Sequence, residues 1–421
     1  MSKLSQLAET LIGSEIVRLG NEIAVRINRG EKIYNYTIGD FDPQIFPIPH
    51  ELEDAIVDAY RNKHTNYPPG DGILELRQAV ASFIKDREGI EYAPNEVLIA
   101  GGGRPLIYSI FRAIVDVGDK VIYAVPSWNN NHYTHMNGGE HCVIEATVEN
   151  DFMPTAADIA PHIKGASLLC LCTPQNPTGT TLAKAELEKI CDLVLAENAC
   201  RAADEKKLYV MFDQMYFTLT YGDTKHYNPV SLRADMKQYT IFVDGISKAF
   251  AATGVRVGWS LGPAHLIGKM KALLSHIGAW SPMAEQKATA KFLLQKDVVE
   301  TYLSSFKQEL DDRLWAIYNG IIALKGKGYP VDAVAPQAAI YLTIKIDLKG
   351  LQANHKQLET QADVTDYLLS EAKLAIVPFY AFGADRTSPW YRLSIGTCKK
   401  DEIAEMLGTL EAALQKLMVL S

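Results

Sequence analysis

No apolar run in this sequence approaches the roughly 20 residues that a helix needs to span a bilayer. The first 18 residues break up their apolar content with Lys3, Glu9, Glu15 and Arg18, so they lack the uninterrupted apolar core of a signal peptide. The six cysteines (Cys142, Cys170, Cys172, Cys191, Cys200 and Cys398) are scattered, with no CxxC pair to hold zinc or frame a disulfide. They read as reduced thiols of a cytoplasmic protein. An excess of basic charge is missing too. Lys and Arg number 42 against 50 Asp and Glu, a formal net charge of -8, which gives no electrostatic reason to expect a nucleic-acid partner. Neither GxGxxG nor GK[ST] occurs, which excludes a Rossmann fingerprint and a Walker loop. His132 and His135 have no third ligand at a sensible spacing, so no metal is expected and the pair reads as loop residues near a cleft. Internal repeats and low-complexity linkers are absent as well.

What is present is an ordinary globular composition, 421 residues with 48% hydrophobic and 22% charged, long enough for two domains. Apolar positions at helical spacing over 16–27 predict a helix, and 33–39 reads as a short strand entering the turn Gly39-Asp40-Phe41-Asp42-Pro43. Short, largely apolar runs then follow at 96–100, 120–124, 167–172, 208–212 and 239–243, alternating with helical stretches. Continuous apolar strands are covered by helices on both faces, which predicts an α/β fold with a mostly parallel central sheet. Helical periodicity around 285–324 leads into a different mixture, with strand-like runs at 339–346, 375–378 and 391–395 and a helix over about 400–418. That mixture predicts a smaller α+β domain.

In doubly wound sheets ligands gather beyond the carboxyl ends of the strands. The runs end in Gly101-Gly102-Gly103-Arg104, in a loop bearing Asn176, in Asp213, and in Asp244 through Lys248, so one site could collect them all. The glycines precede Pro105 and an apolar helix, whose open N–H groups suit an anion; a tight turn needing small residues is an equal alternative for this segment. Lys248 sits in a mostly apolar run, where a partly desolvated amine loses its proton more readily and can attack an aldehyde. Arg256, eight positions on and flanked by glycines, suits bidentate binding of a phosphate. A carboxylate at a strand end, Asp213, can keep a pyridine nitrogen protonated, and Tyr216 and Asn176 can donate to an oxygen on the same ring.

Together, Tyr67 before Gly70, the Gly-Gly-Arg turn, Pro126-Ser127-Trp128, Asn176-Pro177-Thr178-Gly179, Asp213 with Tyr216, Ser247-Lys248, Arg256 and Arg392 resemble the class I/II (fold-type I) aminotransferases that depend on pyridoxal 5'-phosphate, the aspartate aminotransferases among them. The resemblance runs from about 16 to 418. It implies an N-terminal segment (1–45) packing with the small domain, a large cofactor-binding α/β domain (46–300) and a small C-terminal α+β domain (301–421). It also implies a Schiff base at Lys248, which moves the proton, with Trp128 stacked on the pyridine, Asp213 on its nitrogen, and Asn176 and Tyr216 on its oxygen. Gly102, Gly103, Arg104 and Arg256 would surround the phosphate. Arg392 would clamp the substrate α-carboxylate beside Gly39, and Tyr67 would reach the phosphate of a neighbouring subunit in a homodimer with shared active sites.

Departures from the pattern are Asp-Gln-Met-Tyr for the commoner Asp-Glu-x-Tyr, Arg104 for lysine or a small residue, Gly245 where a hydroxyl would face the phosphate, and Ala338 where glycine is frequent. The implied reaction is ping-pong transfer of an amino group between an L-amino acid and a 2-oxo acid, with 2-oxoglutarate as acceptor by resemblance alone. A Cβ–S lyase and a non-catalytic regulatory domain that binds the cofactor are the competing readings. Donor choice stays open: Lys269 or Arg386 could take a distal carboxylate, whereas Trp280 or Tyr380 would favour a large apolar side chain.

Overall fold

The computed structural model describes residues 4–11, 13, 15–353 and 356–418. The outermost positions of the expected 1–45 and 301–421 segments therefore lie outside the described residues. A short strand β1 (Tyr34–Asn35) precedes a seven-stranded sheet made of β2 (Val97–Ala100), β3 (Lys120–Val125), β4 (Glu140–Glu145), β5 (Ala166–Cys172), β6 (Tyr209–Asp213), β7 (Thr240–Gly245) and β8 (Gly258–Leu261). Its order is β2-β8-β7-β6-β5-β3-β4, and only β8 runs antiparallel to its neighbours.

Side-chain alternation explains why this sheet is a buried centre. Leu168, Cys170, Met211, Ile241 and Val243 face one side, where they pack with Leu106, Ile110 and Phe111 of the helix Gly103–Ile114. Leu169, Leu171, Val210, Phe212 and Phe242 face the other, in a larger core with the helices Leu74–Glu88 and Met283–Leu293. Both faces are apolar, so the strands read as unbroken apolar runs. Two strands escape that signature. β4 is an edge strand whose side chains alternate exposed and buried, and β8 is only Gly-Trp-Ser-Leu.

The 31-residue helix Lys296–Gly326 leaves the large sheet and enters a second core. There β9 (Val331–Ala333), β10 (Tyr341–Ile346), β14 (Val377–Pro378) and β15 (Trp390–Ser394) form an antiparallel sheet of order β14-β15-β10-β9; the two short pairs β11 (Gln352–Ala353) with β12 (Lys356–Gln357), and β1 with β13 (Leu374–Ala375), stand apart from it. The helix Ile403–Met418 packs on the outside.

The expected strand at 33–39 is shorter than its pattern. β1 pairs in parallel with β13, and the chain then turns to β15, where Ser394 donates its backbone N–H to Tyr36 at 2.9 Å. That turn carries residues 37–40 to the mouth of a cleft between the two cores. Among the described residues no helix is long and apolar enough to cross a membrane.

Candidate active site

A cavity of about 570 Å³ opens beyond the carboxyl ends of β5, β6 and β7, between the large sheet and β10/β15 of the small one. Gly39, Gly103, Arg104, Trp128, Asn176, Asp213, Tyr216, Lys248, Arg256 and Arg392 line it, so the structure gathers nearly all of the expected site residues in one place. Gly102 lies immediately behind, and its φ of +96° is the left-handed region that favours glycine. A Cβ there would also collide with the Arg256 guanidinium, so the loop can approach Arg256 only as glycine.

The helix that follows has no side-chain cap at Gly102, and its first-turn residues Gly103 and Arg104 line the cavity, which leaves open N–H groups at its edge. Arg256 donates to the carbonyls of Thr253 (2.7 Å) and Gly101 (2.6 Å) and so ties the glycine turn to the loop after Lys248. The absence of a hydroxyl at Gly245 has a packing reason. A Cβ on this residue would stand 2.7 Å from the Val257 carbonyl and 2.8 Å from Gly258 Cα.

Lys248 Nζ donates to the Gly39 carbonyl at 2.5 Å. Burial pushes its amine down to about 8, opposed by the charge of Asp40 and reinforced by Arg392, Arg104 and Arg256. Asp213 accepts from the Met215 backbone N–H at 3.1 Å and has no cation paired with it among the described residues; burial pushes its carboxyl up to about 6. A buried acid lacking a counter-charge, aimed into a cavity, is a seat for a cationic group.

Arg392 presents the complementary case. It is 1% exposed, donates to Asn176 Oδ1 (3.0 Å) and the Thr37 carbonyl (2.5 Å), and lies over the rings of Tyr341 (4.8 Å) and Phe382 (4.9 Å). Its Nε is buried without a partner, no carboxylate pairs with it among the described residues, and burial holds its pKa below the usual arginine value. An uncompensated buried guanidinium calls for a planar anion from outside the chain.

Tyr216 and Tyr341 share a 2.6 Å hydrogen bond between their hydroxyls, and burial raises both. The Arg104 guanidinium stands 5.3 Å over the Trp128 ring, facing the cavity with no acid paired to it among the described residues.

Tyr67 is the exception among the expected residues. It is 81% exposed and packs edge-on against Trp280 at 5.2 Å, away from this chain's cavity. Asp244 also differs from expectation. As part of β7 it is buried on the opposite face of the sheet and does not line the cavity. His132 and His135 are on the helix Asn130–Met136 rather than in a loop, and neither lines the cavity. Among the described residues no group of His, Cys, Asp or Glu could hold a metal. Nor do Lys269, Trp280, Tyr380 and Arg386 line the cavity.

Sequence reasoning missed Tyr341, Asp40, Thr253 and Ile16. Tyr341 begins β10, just past the tight turn at Ala339 (φ +61°), and reaches the cavity only because that strand packs across the cleft. Asp40 accepts from Thr253 Oγ1 at 2.6 Å, a contact 213 positions apart that no local pattern announces.

The lining thus offers an amine with a depressed pKa, a buried acid without a cation, an open helix N-terminus beside an arginine, and a buried arginine without an anion. These fit an aldehyde, a protonated aromatic nitrogen, a phosphate and a carboxylate, in that order. Comparison with known proteins agrees. The sequence profile of the family described as aminotransferase class I and II matches residues 35–410. The chain is 29% identical over 345 residues to the aspartate aminotransferase of Bacillus sp. (strain YM-2), which covers 81% of this chain and 83% of that protein. In structure it is similar to the aspartate aminotransferase from Rhizobium meliloti, with a TM-score of 0.88 at 26% identity over 99% of this chain and 100% of that one. It is also similar to the aspartate aminotransferase from Thermus thermophilus with maleate, with a TM-score of 0.86 at 25% identity over 98% and 100%.

Proposed function

Because the chain belongs to the class I and II aminotransferases and is a pyridoxal 5'-phosphate-dependent aminotransferase, we propose that it moves the amino group of an acidic L-amino acid, with 2-oxoglutarate as the acceptor. When bound, the cofactor supplies an aldehyde that condenses with amines and a protonated pyridine ring that withdraws electrons from the substrate Cα. Lys248 would hold that aldehyde at rest, and its amine, once free, would take the proton from Cα and return it to the cofactor carbon that had carried the aldehyde oxygen. Asp213 would keep the ring nitrogen protonated, Asn176 and Tyr216 would donate to the ring oxygen, and Trp128 would cover one face of the ring. The backbone N–H groups from Gly102 through Arg104, with Arg256, would hold the phosphate.

The single observation that carries the amino-acid reading is Arg392, a buried cation with no carboxylate paired to it among the described residues, in the cavity that Lys248 also lines. The preference for an acidic donor rests on Arg104, which lines the cavity with its guanidinium 5.3 Å over the Trp128 ring and no acid paired to it among the described residues. Relatives that are aspartate aminotransferases support the same preference. Tyr67, exposed and outside the lining of its own cavity, would serve the phosphate of a second subunit in a homodimer. The division into 1–45, 46–300 and 301–421 belongs to this proposal too, supported by the change from one hydrophobic core to the other between Leu303 and Phe306.

The test is a panel of amino donors with 2-oxoglutarate, following glutamate formation. Aspartate is expected to exceed alanine and phenylalanine in kcat/KM, with one glutamate formed for each donor consumed and no ammonia released. Arg104→Ala should cost aspartate about 10- to 100-fold while leaving alanine nearly unchanged, the value of one charge-assisted contact. Equal losses for both donors would remove Arg104 from the distal subsite, and release of ammonia with pyruvate would favour the lyase.

The depressed amine makes a second outcome measurable. Its neutral fraction grows as pH rises and levels off above the pKa of about 8. Capture of the cofactor aldehyde by cofactor-free protein should therefore accelerate about tenfold per pH unit below 8 and flatten above it. A rate still climbing through pH 10 would show an ordinary lysine instead.

A further inference from the structure

A second cavity, of about 370 Å³, lies outside the cleft, between the loop 218–222, the end of the helix Leu74–Glu88 and the long helix Lys296–Gly326. Its polar groups come in opposite charges. Arg87 lies 4.7 Å over the Phe83 ring and pairs with Glu300 at the rim. Lys307 and Asp311 are one turn apart on the long helix, the spacing at which such residues normally close on each other, yet no ion pair joins them and Lys307 has no carboxylate partner among the described residues. One Asp311 oxygen, Oδ1, is buried with no hydrogen-bond partner. Thr218, 8% exposed, lines the same cavity with its hydroxyl buried and unpartnered.

Charge in the cavity is balanced but only half paired: Arg87 closes on Glu300, whereas Lys307 and Asp311 do not close on each other. Burial, then the charge of Arg87, lowers the Lys307 amine, against the pull of Asp311 and Glu300; burial raises the Asp311 carboxyl, against a hydrogen bond from Trp315 and with Asp312 adding to the rise. A lone anion would leave the acids unmatched, and a lone cation would leave Lys307 unmatched. A zwitterion matches both.

We propose that this cavity is a second amino-acid site, separate from the cleft, in which Lys307, Arg87 and the Thr218 hydroxyl receive the carboxylate of a small α-amino acid and Asp311 and Glu300 receive its ammonium group. The volume is ample for such a molecule. The site would be coupled to the cleft through one loop, because Tyr216 lines the cleft two positions before Thr218. The same loop is tied to the segment before Tyr341, with Tyr221 donating from its hydroxyl to the Ala339 carbonyl (2.5 Å) and Ala339 donating its N–H to the Leu219 carbonyl (2.8 Å).

The test uses holoenzyme reduced with borohydride, so that Lys248 is blocked, and follows binding of ¹³C-glycine by ligand-observed NMR. Glycine should bind, acetate and methylamine should each bind at least about tenfold more weakly, and Lys307→Met and Asp311→Asn should each weaken glycine by at least about tenfold, the loss of one charge-assisted contact. Unchanged thermal unfolding of the two variants would show that the fold persists. Absence of glycine binding, or binding in both variants as strong as in the unsubstituted protein, overturns the site. If borohydride fixes nothing on Lys248, the catalytic reading fails, and the same titration on the unreduced protein still decides the second site.

Discussion

Replacing Lys248 with alanine is expected to lower kcat by at least about 10³-fold, because it removes the anchor of the cofactor and the base together. The surroundings make substitution by a neighbour implausible. Within the cavity the other cations are Arg104, Arg256 and Arg392, and guanidinium groups do not give up a proton at neutral pH. Asp213 and Asp40 are acids, and Asp40 is engaged by Thr253. The variant should remain folded, since Lys248 makes one side-chain hydrogen bond, to the Gly39 carbonyl. Steady-state assay with aspartate and 2-oxoglutarate, alongside thermal unfolding, checks both parts. Near-normal transamination by a folded Lys248→Ala protein would contradict the role.

Arg392→Ala is expected to reduce kcat/KM for every amino-acid donor by about 2–5 kcal/mol, on the order of 30- to 4000-fold, because the substrate carboxylate would enter a dry pocket without its cation. Most of the loss should appear in KM. The same substitution should leave thermal stability unchanged or raised. In the free protein Arg392 is a desolvated charge with no carboxylate paired to it among the described residues, and its two hydrogen bonds and two ring contacts do no more than offset the cost of burying it until substrate arrives. A joint readout of kinetics and unfolding temperature therefore separates the clamp from a structural arginine. A structural arginine would lose stability on truncation and leave KM alone.

Much of this site could be read from the sequence, and the reason is topological. Asn176, Asp213 and Lys248 each follow an apolar strand of the same parallel sheet, so local pattern alone brings them to one edge. The rule fails where a strand runs on. Asp244 continues β7 by one more residue and, by alternation, points to the opposite face, beneath the sheet rather than into the cleft. Contacts set by the docking of the two cores were also invisible. Tyr341 meets Tyr216 only because β10 packs across the cleft, and Asp40 meets Thr253 only because β1 pairs with β13 and swings the next residues inward.

Strand detection followed the same logic. The buried strands announced themselves by apolar runs, whereas the edge strand β4 alternates and β8 holds too few residues to show a period. Substrate preference was least legible, because Arg104 acquires its meaning from the Trp128 ring 24 positions later in the chain, on a different loop.

Every catalytic step above passes through the amine of Lys248. Reducing the cofactor-loaded protein with borohydride, digesting it and locating the pyridoxyl group by mass spectrometry tests that most directly. The expected result is a single modified peptide carrying the label on Lys248; an unlabelled digest, or a label on any other lysine, would contradict it.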